Sequence, residues 1–262
     1  MPTRDKAIIG APCWIELDTP DVPGARAFYA ELFGWSSEEP NPDFGGYFNF
    51  THGSARVAGG MATPPGMPDV WSTYLATDDI QRTLDDAKTH GGQVILEAMP
   101  VADLGVMGFL IDPSGGHIGV WQPGEHQGFG LVNEHGAPSW FELHTRDYDR
   151  ALEFYRSVFG WQTETVSDTP EFRYTVLTHG QDKLAGVMDA SAFLPEGVPS
   201  HWTVYLWVDD PDAALAKVTS LGGMILEPAQ DTPYGRLATA ADPGGVRFKL
   251  MAANDQMPAR QA

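Results

Sequence analysis

The sequence predicts an α+β fold of tandem duplicated domains, four β-α-β-β-β units in all. An internal repeat, the periodicities inside each copy and the composition carry this expectation. Residues Pro12–Trp35 and Pro138–Trp161 share twelve of twenty-four aligned residues at an offset of 126. The echo runs on through Ala58-Gly-Gly-Met61 and Ala185-Gly-Val-Met188, then Trp71-Ser-Thr-Tyr74-Leu and Trp202-Thr-Val-Tyr205-Leu. It closes at Asp112-Pro-Ser-Gly-Gly and Asp242-Pro-Gly-Gly-Val, where the offset has drifted only to 130. A period of that size is a duplicated domain and not a solenoid. With 29 Gly and 21 Pro in 262 residues and 42% hydrophobic residues, the chain is turn-rich yet able to bury a core.

The elements follow in order. Trp14-Ile-Glu-Leu-Asp-Thr19 and Trp140-Phe-Glu-Leu-His-Thr145 alternate as half-buried strands do. Asp21 and Asp147 then supply N-cap carboxylates. Ala25, Phe28, Tyr29, Leu32 and Phe33 form the apolar stripe of a helix laid on a sheet, which Gly34 stops. Ala151, Phe154, Tyr155, Val158, Phe159 and Gly160 repeat it. Asp78-Asp79 and Asp209-Asp210-Pro211 open a second helix in each copy, ending at Gly91-Gly92 and Gly222-Gly223. Strands return around Val94–Leu96, Ile118–Trp121 and Arg247–Met251. The expected organisation is a domain over 1–122, a Gly-rich linker over 123–137, a second domain over 138–254 and a tail over 255–262.

Charge and cysteine content narrow the function. Sixteen Lys and Arg against 35 Asp and Glu leave a net charge of −19, which repels phosphate backbones and anionic headgroups, so neither nucleic acid nor membrane is an expected partner. Cys13 is the single cysteine, so no intrachain disulfide and no Cys-based zinc site is available. The first ten residues hold no apolar run, and no stretch reaches the ~18 apolar residues of a membrane span. A cytoplasmic protein is expected.

The order of these motifs carries a resemblance. A strand feeding Asp-x6-Phe-Tyr-x3-Phe-Gly-Trp, then a strand before Asp-Asp, a helix, Gly-Gly and a closing Asp-Pro-x-Gly-Gly strand, all found twice, resembles the vicinal-oxygen-chelate superfamily of glyoxalases, bleomycin-resistance proteins and extradiol dioxygenases. The resemblance implies sheets curled into open barrel-like clefts that hold the ligand. It also implies positions for a divalent metal, and these fall on Trp14, Trp140, Ser72, Thr203, Gly119 and Lys249. Indole, neutral hydroxyl, glycine and ammonium are poor or impossible ligands. No metal cofactor is therefore expected. Relocation of a site onto the neighbouring Glu142 and His144 is the alternative, and a hydrogen-bonded pair there is the commoner outcome.

Organic ligands suit what replaces the metal. Trp14, Glu16 and Asp18 share one strand face, as do Trp140, Glu142 and His144. Glu16, Glu142 and His144 are the candidate catalytic groups, because a carboxylate in a partly desolvated aromatic cleft gains proton affinity. Ser72 with Tyr74, and Thr203 with Tyr205, add hydrogen-bonding groups. His117 and Trp121 would line one cleft and Arg247, Lys249 and Met251 the other, which makes the clefts unlike in charge. Core packing is the competing role for the two tryptophans, and exposed turns for His52 and His179. The glycines of the Ala-Gly-Gly-Met and Ala-Gly-Val-Met segments mark close backbone approach or a bulge, in preference to a phosphate cradle. The expected function is binding, with or without metal-independent acid–base conversion, of an apolar or aromatic small molecule. The alternatives are a metal-dependent lyase or dioxygenase with displaced ligands and a purely interacting protein. Four units suffice for two clefts in a monomer, and a homodimer is compatible.

Overall fold

The computed structural model describes residues 5–257, so the last residues of the expected tail, 258–262, lie outside the described part. Each half builds one eight-stranded sheet with two helices. The first half runs β1 (Pro12–Thr19), α1 (Val22–Phe33), β2 (Ser36–Ser37), β3 (Phe48–His52), β4 (Ala55–Ala62), β5 (Val70–Ala76), α2 (Ile80–Thr89), β6 (Gln93–Val101), β7 (Gly105–Ile111) and β8 (His117–Pro123). The second runs β9 (Pro138–Thr145), α3 (Tyr148–Phe159), β10 (Gln162–Thr169), β11 (Phe172–His179), β12 (Asp182–Asp189), β13 (His201–Trp207), α4 (Pro211–Ser220), β14 (Met224–Thr232), β15 (Gly235–Ala241) and β16 (Arg247–Ala252). The strand orders are β2-β3-β4-β1-β5-β8-β7-β6 and β10-β11-β12-β9-β13-β16-β15-β14. Adjacent units therefore share each sheet, joined where β1 pairs antiparallel with β5 and β9 with β13.

Local chemistry accounts for the helices. Asp21, Asp79, Asp147 and Asp210 are the N-caps, each accepting a backbone N–H of the first turn. Gly34 and Gly160 end α1 and α3 with φ of 71° and 66°, a conformation that costs a residue with a Cβ.

The halves share one core, in which α1 approaches α4, α2 approaches α3, and β5 approaches β13 and β16. Phe28 and Phe33 of α1 meet Phe248 of β16 edge-on. Contacts between the halves are reciprocal. Tyr29 of α1 donates to Asp242 of the second half's closing turn and receives the indole N–H of Trp71. Tyr155 of α3 donates to Asp112 at 2.8 Å and receives the N–H of Trp202. Trp35 donates to the Gly136 carbonyl, and Trp161 to that of Gly10.

Alternation decides what faces away from this core. Ile15, Leu17 and Leu143 are buried in it, and alternation turns Trp14, Glu16, Asp18, Trp140, Glu142 and His144 to the other, inward-curling face, where Trp14 is itself buried against His126 and Phe129. In the second half, Phe172 and Tyr174 of β11 touch Tyr234 of the β14–β15 turn, although these strands lie near opposite ends of the sheet order. The sheet thus curls without closing.

Candidate functional site

The same frame stands in both clefts. In the first, the Trp14 indole donates to the Tyr47 hydroxyl at 2.9 Å, and the Tyr74 hydroxyl donates to Glu16 Oε1 at 3.1 Å. The Tyr47 hydroxyl also stands near enough to the Glu16 carboxyl to favour its ionised form. In the second, Trp140 donates to Tyr174 at 2.9 Å, and Tyr174 and Tyr205 donate to the two oxygens of Glu142 at 2.6 and 2.8 Å. Sheet register builds this frame: Glu16 pairs with Gly59 on one side and Ser72 on the other, and Glu142 with Gly186 and Thr203. A Cβ on Gly59 or Gly186 would collide with the tyrosine hydroxyl above it. What approaches these glycines is a phenol lying over the strand, a side chain where the sequence suggested backbone or a bulge.

Two substitutions between the copies, Asp18 against His144 and Gly119 against Lys249, divide the chemistry. Beside Glu16 stands Asp18, where the second half has His144. Burial, reinforced by the Asp18 charge, pushes the half-buried Glu16 from 4.5 up to about 7 against the opposing hydrogen bonds of Tyr74 and Tyr47. Burial and then the neighbouring Asp69 raise Asp18 from 3.8 to about 6, with a hydrogen bond from Ser72 opposing. In the second cleft burial also acts to raise Glu142, which is only 6% exposed. The hydrogen bond and charge of His144, whose Nε2 lies 2.7 Å from Glu142 Oε1, the Lys249 ammonium and the Tyr174 hydroxyl together outweigh it, so Glu142 falls to about 2. One carboxyl is thus poised to exchange a proton near neutrality, and its counterpart is held as an anion.

The remaining candidates take distinct places. Ser72 is half-buried and bonded to Asp18, and Thr203 lies half-buried across from Glu142. His117 is exposed at the start of β8. Trp121 packs against the segment after β8, donating to the His126 carbonyl at 2.9 Å. Arg247 is exposed and Lys249 half-buried on the inward face of β16, with the Lys249 ammonium 5.3 Å from the Tyr205 ring centre. His52 sits in the β3–β4 hairpin and His179 in the β11–β12 hairpin.

Sequence reasoning missed Tyr47, Tyr174, His126 and His201. The tyrosines had a signal, since each lies five residues before a matching His-Gly pair. His126 had none: it presents its ring edge-on to Trp14 at 4.4 Å, and burial lowers it from 6.5 to about 4. Among the described residues no ring is stacked or edge-on against Trp140 in this way, and Trp140 is half-buried where Trp14 is buried. His201 lies opposite His144 with rings 5.3 Å apart.

Residues 13–119 and 137–250 each match the glyoxalase/bleomycin resistance protein/dioxygenase superfamily. The chain belongs to this superfamily. It is 38% identical over 258 residues, 96% of this chain and 98% of the relative, to a Mycobacterium tuberculosis protein named "Putative glyoxylase CFP32". It is 33% identical over 268 residues, 95% of this chain and 96% of the relative, to the anthracycline biosynthesis protein DnrV of Streptomyces peucetius. The Mn(II)-bound glyoxalase from Novosphingobium aromaticivorans superposes with a TM-score of 0.63 over 96% of this chain and 88% of that one, at 16% identity, a likeness of fold.

A divalent metal of the kind that glyoxalase holds does not fit the positions which the superfamily resemblance assigns to it here. Both indole N–H groups there are donors already committed to tyrosine hydroxyls, Gly119 has no side chain, and Lys249 brings a positive charge. Glu142 and His144 satisfy each other, as a hydrogen-bonded pair.

Proposed function

We propose that this superfamily member binds an apolar or aromatic small molecule in its clefts and transforms it at Glu16 by metal-independent proton transfer. One observation carries the reading: Glu16, anchored by two phenols beside an indole, has its proton affinity raised to about 7. A base or acid works best when its pKa lies near the working pH. Ionised Glu16 takes a proton from an acidic C–H or O–H of the ligand, and the Tyr74 and Tyr47 hydroxyls hold the carboxyl in place. Protonated Glu16 returns the proton to a different atom or to water. The names of the two relatives, one a glyoxylase and one an anthracycline biosynthesis protein, support a small-molecule role.

Two readouts test this. Quenching of tryptophan fluorescence by the anthraquinone emodin reports binding. Deuterium uptake from solvent into a panel of 1,3-dicarbonyls and hemithioacetals, followed by NMR, reports proton transfer. Glu16→Gln is expected to retain emodin affinity and lose exchange by about a hundredfold or more. Exchange unaffected by this substitution overturns the role of Glu16. One tightly held transition-metal equivalent per chain, with exchange abolished by chelator and restored by the metal, overturns metal independence.

A further inference from the structure

The second cleft carries two cations that the first cleft lacks. Arg247 and Lys249 lie two residues apart on β16 and so project to the same inward face. The equivalent positions of β8 hold His117 and Gly119. Elsewhere seven of the chain's cations, Arg26, Arg56, Arg82, Lys88, Arg173, Lys183 and Arg236, form ion pairs. Among the described residues, neither Arg247 nor Lys249 forms one, in a chain with 35 acidic residues.

The acidic groups nearby are already met. Both oxygens of Glu142 are filled by Tyr174, Tyr205 and His144. Glu227 of β14 takes the hydroxyl of Thr239. The Lys249 ammonium rests on the Tyr205 ring, a contact that orders it without neutralising it. Lys249 already faces the Glu142 anion, which it helps keep ionised, while Arg247 is exposed with no ion pair among the described residues, so the two cations together exceed the one buried carboxylate they face. The walls suit a flat molecule: Phe172, Tyr174 and Tyr234 form a cluster with ring centres 5.5 to 6.3 Å apart, and Tyr234 is 44% exposed. Phe193, 55% exposed, stands edge-on to His144 at the other side.

We propose that the second cleft is a site for a small aromatic anion, a carboxylate or phenolate on a planar ring, with Arg247 and Lys249 as its counter-ions and the exposed aromatic rings as its walls. This rests on the reading of the clefts as ligand sites and specifies the ligand class of one of them. The two copies then divide labour: proton exchange in the first and anion capture in the second.

The test uses the full chain and three probes, 2-naphthoate, its neutral analogue 2-naphthamide, and hexanoate, by calorimetry and tryptophan fluorescence. The expected order is 2-naphthoate tighter than 2-naphthamide by about tenfold or more, with hexanoate weakest. The double variant Arg247→Gln/Lys249→Gln is expected to lose that preference, and Lys249→Arg to keep it. Rising salt is expected to weaken 2-naphthoate and leave 2-naphthamide alone. Equal binding of naphthoate and naphthamide, or naphthoate affinity unchanged in the double variant, overturns the anion assignment and leaves an aromatic cleft standing. Binding of neither naphthalene probe overturns both this assignment and the cleft reading for the second half, while deuterium exchange reports separately on Glu16.

Discussion

Replacing Glu16 by Gln should change the pH dependence of stability in a definite direction. In the folded chain burial and Asp18 hold the Glu16 carboxyl at about 7, against 4.5 in its ordinary state. Between these values the unfolded chain releases the proton and the folded chain keeps it, so the folded state loses stability as pH rises from 4.5 to 7 and the loss is constant above. Each tenfold in proton affinity is worth ~1.4 kcal/mol, which puts the full loss at about 3 kcal/mol. Glu16 is half-buried, and the solvent reaching it screens part of this, leaving about 1–3 kcal/mol. The Gln amide keeps an oxygen for the Tyr74 hydroxyl and cannot ionise. Urea unfolding of wild type and Glu16→Gln at pH 5, 6, 7 and 8 measures the difference. The variant should lie within about 1 kcal/mol of wild type at pH 5 and gain about 1–3 kcal/mol relative to it by pH 8. Net-charge effects of the acidic chain act on both proteins and largely cancel. A difference that stays flat with pH, or a variant that weakens as pH rises, refutes the reasoning that burial protonates Glu16.

Other outcomes follow from the same contacts. Gly186→Ala places a methyl against the Tyr174 hydroxyl and should cost about 1–3 kcal/mol in urea unfolding, with a downfield shift lost from the hydrogen-bonded Trp140 indole proton in NMR. Tyr155→Phe removes a buried bond to Asp112 across the two halves and leaves the Trp202 N–H without its acceptor, so a loss of about 1–3 kcal/mol is expected in the same assay. His126, lowered to about 4 from 6.5 by burial, favours the neutral form in the folded state, so stability should fall as pH drops from 6.5 to 4. His126→Phe should lose that acid sensitivity, which thermal melts across this window would register; an unchanged slope would place the acid sensitivity elsewhere.

Much of this protein was legible along the chain because its causes are local. The repeat needed only alignment of the sequence with itself, and the helices needed only Asp N-caps, apolar stripes at helical spacing and the glycines at 34 and 160. Strand alternation already turned Trp14, Glu16 and Asp18 to one side, and Trp140, Glu142 and His144 likewise. What alternation cannot supply is the neighbour across the sheet. Tyr47 reaches Trp14 over 33 residues of chain, and Tyr205 reaches Glu142 over 63, through a register set by the packing of whole strands. The reciprocal Tyr29–Asp242 and Tyr155–Asp112 bonds, which join the halves into one core, exist only once both halves are folded together. Proton affinity belongs to the same category. Glu16 and Glu142 occupy equivalent strand positions and differ along the chain in the neighbour two residues on, Asp18 against His144. That one is pushed up and the other down also rests on burial and on Lys249, 107 residues from Glu142 in sequence, which only the folded interior brings near.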